Sequence, residues 1–295
     1  MLINIDCGHG SNTAGKRTPP FPHDVIINNK ITIKKGEQLH EHIADVGVAV
    51  FLVEELERCG IKTMRTGWND KDAYNDEDEP LAERQRRIAK AKCDYSISIH
   101  FNAFGDGKSF NDVNGLEIYI HDTYFGQSEE MGKKVLEELI QGSKQSNRGL
   151  KKQSLAMCNC KAMNVKGAIL VELAYMTNKR EATELMANED YWKESAIEIA
   201  KGICRFTGIE YVPVKYVPNK SITPKSSKED IIWVQERLNI VLPDWFPRLV
   251  VDGSYGPKTR IAVLIYWDNL GWGRHMNDDG TILGKATRDK LSQVL

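Results

Sequence analysis

No apolar run in this 295-residue sequence approaches the roughly 18–20 residues that a bilayer-spanning helix needs. Its start also lacks a basic segment followed by an apolar core and a small-residue cleavage site, so no removable export signal is expected. Neither charge predominates: 40 Lys and Arg stand against 41 Asp and Glu, a formal net charge of −1. That balance removes the electrostatic case for nucleic acid, and the missing apolar run removes the case for a membrane partner. Cysteine is sparse and scattered: Cys7, Cys59, Cys93, Cys158, Cys160 and Cys204. In a long chain without a secretory signal this pattern suggests free thiols in a reducing cytosol rather than a disulfide framework. Cys158-Asn159-Cys160 is half of a soft metal site and has no partner pair. A zinc-type His-Glu-x-x-His run is absent, and nothing in the sequence fixes an oligomeric state.

The remaining composition, 41% hydrophobic and 27% charged, is that of a globular chain with one large or two unequal domains. Up to about residue 208, short apolar runs alternate with helical periodicity. Strands are expected at Leu2–Ile5, Lys62–Arg65, Tyr95–Ile99, Leu116–Ile120 and Ala168–Glu172, and helices near 42–59, 80–92, 126–143, 180–187 and 190–206. Ile43, Val46, Val50, Val53 and Leu56 recur at helical spacing, and Cys59-Gly60 closes that helix. The alternation predicts an α/β domain over 1–208: a mostly parallel sheet with helices on both faces.

Residues 209–227 carry three prolines, several lysines and serines and no helical period, which describes a linker. Residues 228–295 suffice for a small three-helix domain. An internal echo marks it. Asp252-Gly253-Ser254-Tyr255-Gly256-Pro257-Lys258-Thr259-Arg260 returns as Asp279-Gly280-Thr281-Ile282-Leu283-Gly284-Lys285-Ala286-Thr287-Arg288, each a tight turn leading to a helix start. Trp233, Trp245, Trp267 and Trp272 lie here; most are expected to fill the small core, leaving one or two rings to stack on sugars.

The chemistry gathers where strands end. LINIDCGH stops at His9, SISIH at His100 and AILVE at Glu172. In open α/β sheets ligands bind at the carboxyl ends of strands, so these three are expected to meet. Two histidines and a carboxylate are a common donor set for a catalytic zinc, and a further carboxylate would serve as general base. Glu37, His40, Glu41 and His42 all compete for the third donor position.

DCGHG, an acidic residue opening a helix, SISIHFNAF and ILVELAYMTN, in that order, resemble the zinc-dependent N-acetylmuramoyl-L-alanine amidases of the amidase-3 type. Pro80-Leu81-Ala82-Glu83-Arg84 and Asn147-Arg148-Gly149-Leu150 fit the same frame. The resemblance implies His9, Glu41 and His100 as zinc ligands, Glu172 as the catalytic carboxylate, and bacterial peptidoglycan as substrate. Asp45 stands in the family's usual Asn position, and Ser11 replaces a glycine. Asn102 and Arg148 are candidate substrate contacts, with a turn-stabilising role and a surface ion pair as their respective alternatives. The 11–38 loop either lines the groove or is an insertion with a mobile tip.

The C-terminal echo resembles the peptidoglycan-binding type-1 module, a wall anchor. With no signal peptide expected, synthesis in the cytoplasm followed by release through lysis or a holin pore fits a phage endolysin. A mother-cell lytic amidase of sporulation, a zinc peptidase on wall peptides and a non-catalytic wall-binding protein are the alternatives.

Overall fold

The computed structural model describes residues 1–28, 31–214, 216–272 and 279–294. Two compact units divide between Pro213 and Val214.

The first unit is built on a six-stranded sheet. In chain order its strands are β1 (Leu2–Cys7), β4 (Lys62–Thr66), β5 (Tyr95–Asn102), β6 (Leu116–Ile120), β7 (Asn147–Lys152) and β8 (Gly167–Tyr175). Their spatial order is β4-β1-β5-β8-β6-β7. The four strands β4, β1, β5 and β8 run parallel; β6 pairs antiparallel with β8, and β7 follows β6 in parallel. The five strands expected from the sequence are all present. The sixth, β7, was not expected: Asn-Arg-Gly-Leu-Lys-Lys has no apolar run, and the strand forms at the sheet edge.

Period-two alternation decides which side each residue faces. Ile3, Ile5, Ile97, Ile99, Ile118 and Ile120 enter the main core, against which α1 (Glu41–Arg58), α3 (Ser128–Gly142) and α5 (Glu189–Thr207) pack. The opposite face carries α2 (Leu81–Ala91), the short α4 (Cys160–Met163) and a smaller apolar cluster around Ile88, Met163 and Ala168. Asn4, Asp6, Ser96 and Ser98 are fully buried, and hydrogen bonds link them along this second face. All six cysteines are free and buried. Cys160 packs in the smaller cluster beside Ser128, so the Cys158–Cys160 pair serves packing.

The 11–38 stretch is a folded excursion. It contains the hairpin of β2 (Val25–Ile27) and β3 (Ile31–Ile33), and Phe21, Ile27 and Ile33 plug into the main core. Thr18 and Leu39 close its base: the Thr18 amide donates to the Leu39 carbonyl, and the Leu39 amide to the Thr18 hydroxyl.

The second unit holds α6 (Lys228–Val241), α7 (Pro257–Asn269) and α8 (Lys285–Ser292) around a core of its own. The echo is visible as geometry. Gly253 and Gly280 both sit at φ 73°, and the preceding Asp252 and Asp279 carboxylates cap the amides of Ser254 and Thr281. Gly256 and Gly284 then open α7 and α8. Trp233 and Trp267 are buried, whereas Trp245 is 73% and Trp272 39% exposed. The 209–227 stretch is divided between the two units and is tied down at points in each. Val212 hydrogen-bonds Arg58 and Cys59 in the first unit, and Ile222 is buried in the core of the second.

The α1–α5 contact depends on Gly47. A β-carbon there would lie 2.3 Å from the Trp192 ring. Helix propensity alone favours Ala over Gly by about 1 kcal/mol, but overpacking a tight contact costs about 1–3 kcal/mol. Gly47→Ala is therefore expected to destabilise the chain, read as a lower midpoint in thermal or denaturant unfolding.

Candidate active site

His9, His100 and Glu172 do meet at one end of the sheet. His9 follows β1, while His100 in β5 and Glu172 in β8 are register partners. Glu41, the first residue of α1, completes the group. Among the described residues, His9, Glu41 and His100 are the set whose donor atoms converge, all within 4.8 Å of one another.

Of the four competitors for the third donor position, only Glu41 points here. His42 is buried, with Nδ1 2.9 Å from the Gly8 carbonyl and Nε2 3.2 Å from the Asp76 carboxylate. Glu37 caps the Lys34 amide within the excursion. His40 pairs its backbone with Arg17.

His9 itself adopts a left-handed backbone, φ 62°, which is unfavourable for a residue with a β-carbon. The glycines beside it serve close approach. A β-carbon on Gly8 would lie 2.4 Å from the His100 ring, and one on Gly10 would lie 2.3 Å from the Asp78 amide nitrogen.

What holds the strained turn is Arg84 of α2, 1% exposed. Its guanidinium donates to the Cys7 carbonyl, to the His9 carbonyl at 2.8 Å, to Asp6 at 3.1 Å and to Asp78 at 3.0 Å. The Pro80–Arg84 stretch was legible as a motif, but this positioning role was not; a helical Arg beside a buried strand Asp was the available signal.

From Asp6 the hydrogen bonds run on to the site and set a tautomer. Asp6 Oδ2 accepts from the Ser98 hydroxyl at 2.6 Å. Having given its only proton there, Ser98 accepts from His100 Nε2 at 3.1 Å. His100 Nδ1 is thereby left as the lone-pair nitrogen, and it faces Glu41 Oε1 at 3.1 Å. A lone pair set against a carboxylate oxygen requires a positive charge: a proton or a metal cation. Glu41 Oε1 also accepts from the Phe101 amide, but Oε2 is buried with no hydrogen-bond partner, 3.4 Å from His9 Nε2. Burial holds His9 down at about 4, so its ring is neutral near pH 7 and available as a donor. The donor set therefore suits a divalent cation with two imidazoles and one carboxylate.

Glu172 stands apart from that set. Its Oε2 is sealed from solvent without a partner. Burial pushes its pKa up to about 8; nearby His100 opposes the shift, and the charges of Glu41 and Glu117 reinforce it. The side chains of Asn102 and Arg148 find their partner in a different carboxylate. Both bind Glu117, which is fully buried and is the register partner of Glu172 on β6. Glu117 was missed in the sequence; its signal was a carboxylate alternating with apolar residues in Leu-Glu-Ile-Tyr-Ile.

An imidazole–carboxylate–imidazole donor set beside a separate buried carboxylate, at the carboxyl ends of parallel strands, is chemically suited to a hydrolase. The comparisons specify it further. Residues 3–205 match the family model of the N-acetylmuramoyl-L-alanine amidases. The chain is 25% identical to the endolysin of Bacillus phage SPP1 over 246 residues, 83% of this chain and 78% of that one. Among solved structures, the amidase AmiC2 of Nostoc punctiforme superposes with a TM-score of 0.54 at 25% identity, covering 70% of this chain and 97% of its own. An N-acetylmuramoyl-L-alanine amidase from Clostridium difficile 630 shares the fold, with TM-score 0.55 and 22% identity over 70% of this chain and 96% of that one. The chain belongs to the N-acetylmuramoyl-L-alanine amidase family, and its activity is that of an amidase acting on peptidoglycan.

Two expectations follow from the site. Arg84→Ala leaves Asp6 buried without its cation and releases the His9 turn, and breaking a buried pair in this way costs about 3–5 kcal/mol. Urea unfolding of the variant should show a loss of that order. The second concerns pH. With Glu172 at about 8 in the folded state against an ordinary 4.5, the fold binds the extra proton, and its stability falls as pH rises between those values. In the presence of a chelator, the stability of Glu172→Gln relative to the wild-type chain should therefore rise over the same interval. A constant difference between the two pH–stability curves would contradict the shift.

Proposed function

We propose that the chain is a zinc-dependent amidase in which His9, Glu41 and His100 hold the ion and Glu172 is the general base. The observation that carries this reading is the His100 Nδ1 lone pair facing Glu41 at 3.1 Å beside an unpartnered Glu41 oxygen. When bound, zinc supplies a Lewis acid for the scissile carbonyl and lowers the pKa of its water toward ~7. The chain's own groups do the rest. His9 is kept neutral by burial, and His100 is held in the ligating tautomer by Ser98 and Asp6. His100 opposes the upward shift of Glu172, favouring the carboxylate that takes a proton. Glu172 accepts the proton of the attacking water and returns it to the leaving amine of L-alanine, freeing the lactyl carboxyl group of muramic acid.

The biological setting we propose is that of a phage endolysin, released to the wall at lysis. The alignment with the SPP1 endolysin supports this, since 246 residues exceed the first compact unit, Met1–Pro213. The repeated Asp-Gly turns and the exposed Trp245 and Trp272 support a wall-binding role for the second unit. Tethering on insoluble wall raises the local substrate concentration without new contacts at the active site.

Digestion of purified walls with mass spectrometry of the products tests the reading. The expected products are peptides with a new L-alanine amino terminus and glycan bearing free lactyl carboxyl groups. Chelation should abolish the reaction, zinc should restore it, and Glu172→Gln should lose at least about a hundredfold in rate, as general-base removal does. Cleavage within the stem peptide, or full activity in a chain shown metal-free by elemental analysis, would overturn it.

A further inference from the structure

Glu117 gathers five side-chain partners near the site, and they share a purpose that the hydrolytic residues do not explain. Its Oε1 accepts from Asn102 Nδ2 and from the hydroxyls of Tyr119 and Tyr175, each of the latter at 3.0 Å. Its Oε2 takes the Lys151 ammonium and lies 3.4 Å from Arg148 Nε. Burial raises the Glu117 pKa, but the hydrogen bonds from Lys151, Tyr175 and Tyr119 outweigh it and carry the group below its ordinary value. One negative charge thus holds two positive ones.

The chain makes a specific provision for this pairing. Residues 148 and 151 are three apart and would face opposite sides of a regular strand. Gly149, at φ 82°, introduces a bulge: Leu116 to Ile118 on β6 is matched by Asn147 to Leu150 on β7. The extra residue turns Arg148 and Lys151 to the same face, above Glu117. Arg148 then lies 5.1 Å from the Tyr175 ring centroid and Lys151 5.7 Å from that of Tyr119. Their side chains remain 36% and 38% exposed, so both heads keep donors for a ligand.

The surplus positive charge sits one strand from Glu172, the register partner of Glu117. Around the scissile amide, the acyl side is a glycan whose carboxyl is consumed in the bond itself. The free carboxylates lie on the peptide side, the nearest on the acidic residue after L-alanine. We infer that Arg148 and Lys151 form a subsite for that stem-peptide carboxylate, with Glu117 beneath them as a positioning residue. The inference rests on the amidase reading and names which part of the substrate this rim recognises.

Two muropeptides test it, alike except that the acidic residue after L-alanine carries a free or an amidated α-carboxylate. A charge-assisted contact of about 1.5–3 kcal/mol corresponds to roughly a ten- to hundredfold preference in kcat/KM for the free form, expressed in KM. In Arg148→Met, Lys151→Met and Glu117→Gln the ratio between the two substrates should collapse toward one. A merely structural defect would lower both rates together and leave the ratio intact, which would overturn the inference. Equal kcat/KM for both muropeptides in the wild-type chain would overturn it too, leaving the amidase reading untouched. Calorimetry of the full chain with the two free stem peptides supplies a readout without turnover and without substitution. Preferential binding of the free carboxylate there, with no hydrolysis of either muropeptide, would sustain the subsite and sink the amidase reading. Equal binding of the two peptides would count against the subsite.

Discussion

The site depends on one buried cation. Arg84 reaches from α2 into the sheet face and binds Asp6 together with the carbonyls of Cys7 and His9. A buried guanidinium is costly unless its donors are matched, and here three of the acceptors, Asp6 and the carbonyls of Cys7 and His9, belong to the segment that carries His9. The left-handed backbone of His9 is held by this grip, since its own carbonyl is one of the acceptors. The same Asp6 passes order in the other direction, through Ser98 to His100. One ion pair therefore fixes the backbone of one histidine and the tautomer of the other.

Two carboxylates on neighbouring strands are driven apart by their surroundings. Glu117 and Glu172 face each other across the β6–β8 pairing. Glu117 has donors for both oxygens and stays ionised; Glu172 has an oxygen with no partner and is pushed up to about 8. The ionised neighbour is one of the causes of that rise. A pair of like groups with opposite protonation preferences is how a site obtains a fixed charge and a mobile proton from the same residue type. The fixed charge organises the rim, and the mobile proton belongs to the chemistry.

Strand ends and helix periods were legible because burial writes them into the sequence. Ile-Leu-Val before Glu172 and the stripe along α1 both report an apolar environment directly. The polar face of the sheet was less so. Leu-Ile-Asn-Ile-Asp-Cys and Ser-Ile-Ser-Ile-His alternate with period two, yet as short runs they pass for apolar strands whose polar residues are incidental. In the fold those polar residues are the relay from Arg84 to His100. The edge strand β7 was illegible for a related reason: it carries no apolar run, and in the 25–33 hairpin the strands are only three residues each, too short to stand out from a loop. Glu41 could not be separated from its neighbours by spacing alone, because adjacent helical residues project in different directions and only the sheet shows which direction is inward.

Glycine commonly serves to turn a chain, and its place at the site is different. The sharp conformation is taken by His9, whereas Gly8 and Gly10 are where other groups come too close for a β-carbon. The strain sits on the residue that must be aimed, and the small residues clear the volume into which His100 and Asp78 move. Across the sheet the assignment is reversed. Gly149 takes the left-handed conformation itself, with nothing within 4 Å of its would-be β-carbon, and the aimed residues Arg148 and Lys151 lie on either side. At the hydrolytic end, a dense hydrogen-bond network can hold a histidine in an unfavourable backbone. At the sheet edge the hydrogen bonds hold the flanking side chains rather than the turn's carbonyl, and a residue free of the steric cost occupies the turn.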